Sequence, residues 1–252
     1  MSEEATFFRE HGYLHARSVF DAAEVDDLRE ALERILETVA GTEHDENHRW
    51  ATAAPGSVLK GFHNVQYHDA AFTRAATHPR LVRLLTHLIG PNVQLHHTKM
   101  LVKPPEHGAP FPMHQDYPYF PHERHSVVAA SVHLDDADEE NGCLRVVPGS
   151  HLRGPVAETG TSHALDVPLE EGTPLPAKAG DVVLFSYLTI HGSGVNASER
   201  TRRNVLFQYR DPEDPPVLDD GREHHVDWGQ GLMVAGHNPV YWRRRPRFRL
   251  VR

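Results

Sequence analysis

Disulfide chemistry is closed to this sequence: Cys143 is its one cysteine, so no intramolecular bridge can form and stability must come from a packed core. Long apolar runs are missing too. No stretch approaches the roughly 18 uninterrupted apolar residues of a membrane-spanning helix, and no membrane partner is expected. Positive charge is scarce, with 26 Lys and Arg against 35 Asp and Glu and a formal net charge of -9. A surface that neutralises phosphates needs a basic face, so no nucleic-acid partner is expected either. The opening segment MSEEATFFREHGY has neither the basic region nor the apolar run of a secretory signal, and a cytoplasmic location is expected. With 252 residues and 39% hydrophobic content, the chain is long enough for one well-filled domain and short for two.

What the sequence does have is histidine, 21 residues of it, and neutral imidazole is a common ligand for transition metals. Abundance alone decides nothing. His44, His48 and the pair His224 and His225 sit among Asp, Glu and Asn, the setting of solvated loops. Spacing is the better guide.

In DAAEVDDLREALERILETVA, residues 21–40, Val25, Leu28, Leu32, Ile35 and Leu36 fall at steps of three and four, with Asp21 as N-cap and Gly41 just past the end. This predicts an amphipathic helix. A second helix is predicted from Pro79 to Leu88, with Leu81, Leu84, Leu85 and Leu88 on one side and Gly90-Pro91 as the stop. From Val93 to Arg210 the texture becomes short β-type runs: VQLHHTKMLVK, HSVVAASVHLD, CLRVVPG, GDVVLFSYLTIHG and RRNVLFQYR. No βαβ alternation is visible. The expected fold is therefore mainly β with flanking helices, around a double-stranded β-helix (jelly-roll, cupin-like) core. A single domain is expected, with helical support over about 1–92, the core over about 93–210 and an extension over 211–252. The Pro-rich tract 104–113 reads as a loop, and 211–225, acidic and Pro-rich, as a lid or an insertion without structure. The basic tail YWRRRPRFRLVR is expected to pair with acidic segments of the protein.

The chemistry centres on MHQDYPYF. On a β-strand, positions i and i+2 point the same way, so His114 and Asp116 would direct an imidazole and a carboxylate at one point. A third ligand has to come from another strand, and DVVLFSYLTIHGSG delivers His191 at the end of a hydrophobic run. Two His and one carboxylate on one face of an octahedron leave three positions open, as in non-haem iron(II) oxygenases. Tetrahedral zinc is the nearest chemical rival. In LHHTKMLVK, His97 and Lys99 share one face while Thr98, Met100 and Val102 share the other. Either the polar face looks into the barrel and needs a bound partner, or the parity is inverted, with Lys99 in solvent and Met100 in the core. By the same alternation Ser131 faces the site along with Ala129. Tyr117, Tyr119 and Phe120 are candidates for the pocket wall or for packing.

Three ordered stretches, TKMLVKPPEHGAPFPMHQDYPYFP, ENGCLRVVPGSH from Glu140 to His151, and HGSGVNASERTRR, resemble the phytanoyl-CoA dioxygenase family of iron(II)- and 2-oxoglutarate-dependent oxygenases. The resemblance covers 93–210 well and the flanks loosely. It implies Fe(II), with 2-oxoglutarate and O2 as cosubstrates. In the family an arginine about eleven residues beyond the distal histidine binds the cosubstrate's C5 carboxylate, which points to Arg202. A guanidinium suits that role through its permanent charge and bidentate reach. Ser193 matches a hydroxyl position that helps hold the same carboxylate, and His97, Lys99 and Ser131 are the further cosubstrate candidates. Some relatives carry tryptophan where this chain has Ser131, which suggests a different contact or a roomier pocket. The implied reaction is hydroxylation of an unactivated C–H bond coupled to conversion of 2-oxoglutarate to succinate and carbon dioxide. Related halogenases lack the carboxylate ligand, so Asp116 disfavours halogenation. The implied partner is a small-molecule substrate: an acyl-CoA, an amino-acid derivative, a phosphonate or a secondary metabolite. The alternatives are a cupin-like metalloenzyme of non-oxygenase type and a catalytically silent jelly-roll binding module.

Overall fold

The computed structural model describes residues 2–39, 60–105, 108–157, 164–217 and 231–240. His44, His48, all of 218–225, including His224 and His225, and the basic tail from Tyr241 lie outside the described residues.

Local chemistry starts each helix. In α1 (Glu3–His11) the Ser2 hydroxyl accepts from the Ala5 N–H, and Gly12, at φ 80°, ends the helix by donating its N–H to Phe8. At the entry to α2 (Ala22–Val39), Asp21 and Glu24 exchange backbone-to-carboxylate bonds of 2.9 Å each, a capping box. Asp69 caps the short α3 (Ala70–Ala76), and Pro79 opens α4 (Pro79–Leu88), whose Leu81, Leu84 and Leu85 are buried as the spacing predicts. No helix among the described residues is long and apolar enough to cross a membrane.

The strands form two antiparallel sheets. The larger runs β1 (Tyr13–Ala16), β8 (Val182–Ser186), β5 (Val128–His133), β10 (Arg202–Arg210), β3 (Val93–Lys103) and β11 (Met233–Ala235), with β2 (Lys60–His63) also paired to β3. The smaller runs β4 (Phe111–His114), β9 (His191–Ser193), β6 (Leu144–Val146) and β7 (Thr173–Leu175). One face of the large sheet, carrying Met100, Val102, Val132, Leu184, Val205 and Phe207, packs on Leu28, Leu32, Phe72, Leu81 and Leu85 of the helices. Its other face presents Ala129, Val183 and Phe185 to Val146 and Leu175 of the small sheet. Two sheets facing each other with helices outside are the jelly-roll the strand pattern predicts.

Three strands come from outside the expected core range: β1 and β2 precede residue 93, and β11 follows 210. The Pro-rich tract also ends differently from the expectation, because Phe111, Pro112 and Met113 belong to β4. That strand is an edge, and its register shifts between Phe111 and His114, so the N–H that Pro112 lacks costs no ladder bond. The first part of the acidic tract is tied down: the Asp214 carboxylate accepts from the N–H groups of Arg124 and Ser126 and from the Ser126 hydroxyl, and Val217 N–H donates to Pro121.

Candidate metal centre and its anion pocket

His114 ends β4, directly opposite His191 at the start of β9, so the antiparallel pairing itself brings two imidazoles together at a ring-centroid distance of 4.3 Å. Asp116 is not on the strand. It lies beyond its end at φ -77°, ψ -17° and opens a 3-10 turn, with its N–H bonded to Tyr187. The alternation expected for a continuous strand therefore gives way to a strand-to-turn transition, yet the side chains converge. Asp116 Oδ1 is 3.5 Å from His114 Nε2 and 3.6 Å from His191 Nε2. One ligand atom from each of the three residues lies within 4.8 Å of the others, and all three side chains are buried.

The ring tautomers are fixed by backbone acceptors. His114 Nδ1 donates to Pro112 O at 2.8 Å and His191 Nδ1 donates to Thr189 O at 2.9 Å, which leaves both Nε2 lone pairs facing Asp116. Burial, followed by the neighbouring His114, lowers the His191 pKa to about 4, so its imidazole is neutral near pH 7. Burial pushes Asp116 upward, but the His191 and His114 rings outweigh it and bring the carboxyl to about 2. A carboxylate and neutral imidazoles are the ligating forms. The donor set thus fits a metal of the Fe(II) type.

A second feature lies along the same interior. Arg202 and Lys103 stand directly opposite each other on β10 and β3, with 5% and 0% of their surface exposed. Lys103 Nζ donates to Ser193 Oγ at 2.7 Å and to Gly194 O at 2.5 Å. Arg202 donates to the Gly142 carbonyl, while its Nε has no partner among the described residues. Burial, then repulsion from Arg202, holds Lys103 well below the ordinary lysine value; burial lowers Arg202 to about 10. Among the described residues neither cation has a carboxylate partner. Two buried cations are costly to leave so, and an anion is the chemistry they fit. Arg203, by contrast, turns outward to Asp135 and Glu33, as alternation predicts.

The pairing of β3 with β10 settles the parity of the strand. Lys103, Leu101, Lys99 and His97 oppose Arg202, Asn204, Leu206 and Gln208 on the inner face, while Met100 and Val102 pack against the helices. His97 is buried and Lys99 half-buried. Ser131 is opposite Leu206 on the same inner face, and its Oγ accepts from Asn204 Nδ2 at 3.0 Å. Of the three aromatic candidates, only Tyr119 turns toward the ligands, edge-on to His114 at 6.5 Å. Tyr117 and Phe120 pack with Val127, Tyr187 and Leu188, a cluster that Tyr119 also touches, and the Phe120 ring meets His97 at 5.1 Å. Lys103, Asn204 and Gln208 are polar residues of this interior that were not singled out in the sequence. They share the inner-face parity of His97 and Lys99 on β3 and of Arg202 on β10.

The family model described as Phytanoyl-CoA dioxygenase (PhyH) matches residues 8–204. The chain belongs to the phytanoyl-CoA dioxygenase family. Within the reach of that family, it is 32% identical over 257 residues to the Stutzerimonas stutzeri protein named "Probable alpha-ketoglutarate-dependent hypophosphite dioxygenase", covering 95% of this chain and 88% of the relative. It is 28% identical over 263 residues to the ectoine dioxygenase of Bordetella parapertussis, covering 93% and 84%. The crystal structure of the epimerase SnoN in complex with Fe3+, alpha ketoglutarate and nogalamycin RO is similar, with a TM-score of 0.72, 28% identity and coverage of 92% of this chain and 97% of that one.

Proposed function

We propose that this phytanoyl-CoA dioxygenase family member hydroxylates an unactivated C–H bond of a small molecule, with iron held by His114, Asp116 and His191 and 2-oxoglutarate anchored by Arg202, Lys103 and Ser193. The observation that carries the reading is the pair of buried cations with no carboxylate partner among the described residues, set in the same barrel interior as a buried two-His, one-carboxylate cluster. When bound, Fe(II) would activate O2, the oxidant, with two electrons drawn from 2-oxoglutarate, which would leave as succinate and carbon dioxide.

The chain's own residues bind, orient and shield. Arg202 and Lys103 fix the far carboxylate of the dicarboxylate by charge, and Ser193, held by the Lys103 ammonium, adds a hydroxyl. His97, Lys99 and Ser131 line the inner face beside them, and Tyr119 forms wall near the ligands. Phe185, packed on His191 at 4.5 Å, keeps water from that side of the imidazole. A cupin-like enzyme without a cosubstrate has no use for two buried cations, which favours the oxygenase reading over that alternative and over a silent module. The likeness to the epimerase SnoN supports a second outcome at the same site, inversion at a C–H centre without retained oxygen.

The test is succinate formation by the purified protein with Fe(II), ascorbate, 2-oxoglutarate and a panel containing hypophosphite, ectoine and phytanoyl-CoA, followed by isotopic oxygen analysis of the product. Wild type should form succinate and place one atom of O2 in the product, and Arg202→Ala should raise the 2-oxoglutarate requirement roughly 10- to 150-fold, the loss of a charge-assisted pair of about 1.5–3 kcal/mol. Equal succinate formation by wild type and Arg202→Ala would sink the assignment. Product lacking the labelled oxygen would favour epimerisation.

A further inference from the structure

Asp116 is the ligand whose geometry is least constrained by the sheet, because it follows β4 on a 3-10 turn. Its carboxylate nonetheless has two distinct environments. Oδ1 faces the two Nε2 atoms, at 3.5 and 3.6 Å, whereas Oδ2 accepts a 2.9 Å hydrogen bond from Gln208 Nε2. Gln208 is 2% exposed, on the inner face of β10 opposite His97, and its Oε1 has no hydrogen-bond partner among the described residues. A carboxylate only accepts, so the amide must turn its NH2 toward Asp116. That orientation leaves the amide oxygen unsatisfied, so the bond to Asp116 is the polar contact that determines how the side chain lies.

We propose that Gln208 is the positioning residue of the metal centre: it occupies Asp116 Oδ2 and so presents Oδ1 alone to the metal, keeping the carboxylate from rotating or chelating with both oxygens. Two of the three ligands are oriented by backbone carbonyls, at Pro112 and Thr189, and Gln208 does the equivalent for the third. A one-oxygen carboxylate keeps three octahedral positions open, as a bidentate cosubstrate and an oxidant require, whereas two-oxygen binding would close one of them. An apolar residue at 208 would fill the volume without that control.

The inference rests on the metal-site reading, and the experiment separates the two. Metal-free, full-length protein is titrated with Co(II) under anaerobic conditions, reading affinity and the visible absorption band of the bound ion, for wild type, Gln208→Met, Gln208→Asn and His191→Ala. Gln208→Met keeps the length and loses the donor; Gln208→Asn keeps the polarity but withdraws the donor by one methylene, and serves if the first variant does not fold. The expected result is a Co(II) Kd raised 10- to 100-fold, the usual cost of losing an outer-shell partner, with an altered absorption band at saturation. A purely packing role for Gln208 would leave both unmoved. Folded Gln208 variants that bind Co(II) within twofold of wild type, with the same band, overturn the inference while leaving the metal site intact. If wild type and His191→Ala bind alike, the metal-site reading itself fails, and the inference with it.

Discussion

Lys103→Met tests the anion pocket by asking two quantities to respond differently. The lysine is fully buried opposite Arg202, and its visible partners are Ser193 Oγ and Gly194 O. Removing bonds to a charged group costs about 1.5–3 kcal/mol each, so two of them set about 3–6 kcal/mol against the change. Removing a buried ammonium also relieves an effective desolvation penalty of several kcal/mol, and here the repulsion from Arg202 goes with it. The two sides nearly offset, so the stability of the protein without 2-oxoglutarate should move by no more than about 2 kcal/mol in denaturant unfolding. The affinity for 2-oxoglutarate has no such offset. It loses a charged contact worth about 1.5–3 kcal/mol, a rise in Kd of roughly 10- to 150-fold. Calorimetric titration of the metal-loaded variant measures it. An unchanged Kd combined with a large loss of stability would refute the reasoning and make Lys103 a clamp for the chain at Ser193 and Gly194.

His133 is buried, neither ring nitrogen has a hydrogen-bond partner among the described residues, and burial, then Arg202, lowers its pKa from 6.5 to about 3. The unfolded chain therefore holds the extra proton between those values, and stability falls with pH below 6.5, by about 2 kcal/mol at pH 5. His133→Leu should remove that part of the slope while leaving stability at pH 7 equal or higher; unfolding curves at both pH values decide, and an unaltered slope contradicts the prediction. Gly142 has φ +72°, and a Cβ there would lie 2.4 Å from Gly194 O and 2.7 Å from Val195 O. Gly142→Ala should cost about 2 kcal/mol or more, seen as a fall in Tm, and should weaken 2-oxoglutarate binding because the Gly142 carbonyl holds Arg202. Phe120→Ala should cost about 3–5 kcal/mol of stability, whereas Tyr119→Ala should act mainly on the substrate KM; the reverse pattern would exchange their assigned places.

Much of this molecule is legible in its residues because local and tertiary demands agree. Asp21 announces the start of α2, the leucine spacing of α4 matches its buried face, and the odd parity of β3 separates a polar interior from a mostly apolar helix-facing side. His191 was identifiable because a hydrophobic run leads to it, although β8 ends at Ser186 and a turn delivers His191 to the start of β9 rather than to a strand end. Less was visible where pairing, not propensity, decides. The strands β1, β2 and β11 are three or four residues long and exist through their neighbours in the sheet. Pro112 reads as a loop signal but is tolerated at an edge with shifted register. Asp116 reads as a strand residue and is placed by a turn whose backbone is held by Tyr187, distant in sequence. Lys103 beside two prolines looks like the end of a strand, and only its cross-strand neighbour Arg202 turns it into half of an anion pocket. Gln208 carries no motif at all, since its partner is 92 residues away.

The coupling of the metal cluster to the cation pair is tested most directly by anaerobic titration of 2-oxoglutarate into Fe(II)-loaded protein, followed by the visible charge-transfer absorption of the chelated metal. Wild type should develop the band saturably, His191→Ala should not develop it, and Arg202→Ala should bind iron yet need roughly 10- to 150-fold more 2-oxoglutarate. A wild-type protein that binds iron but gives no such band, or an Arg202→Ala curve that overlays the wild type, would contradict the account.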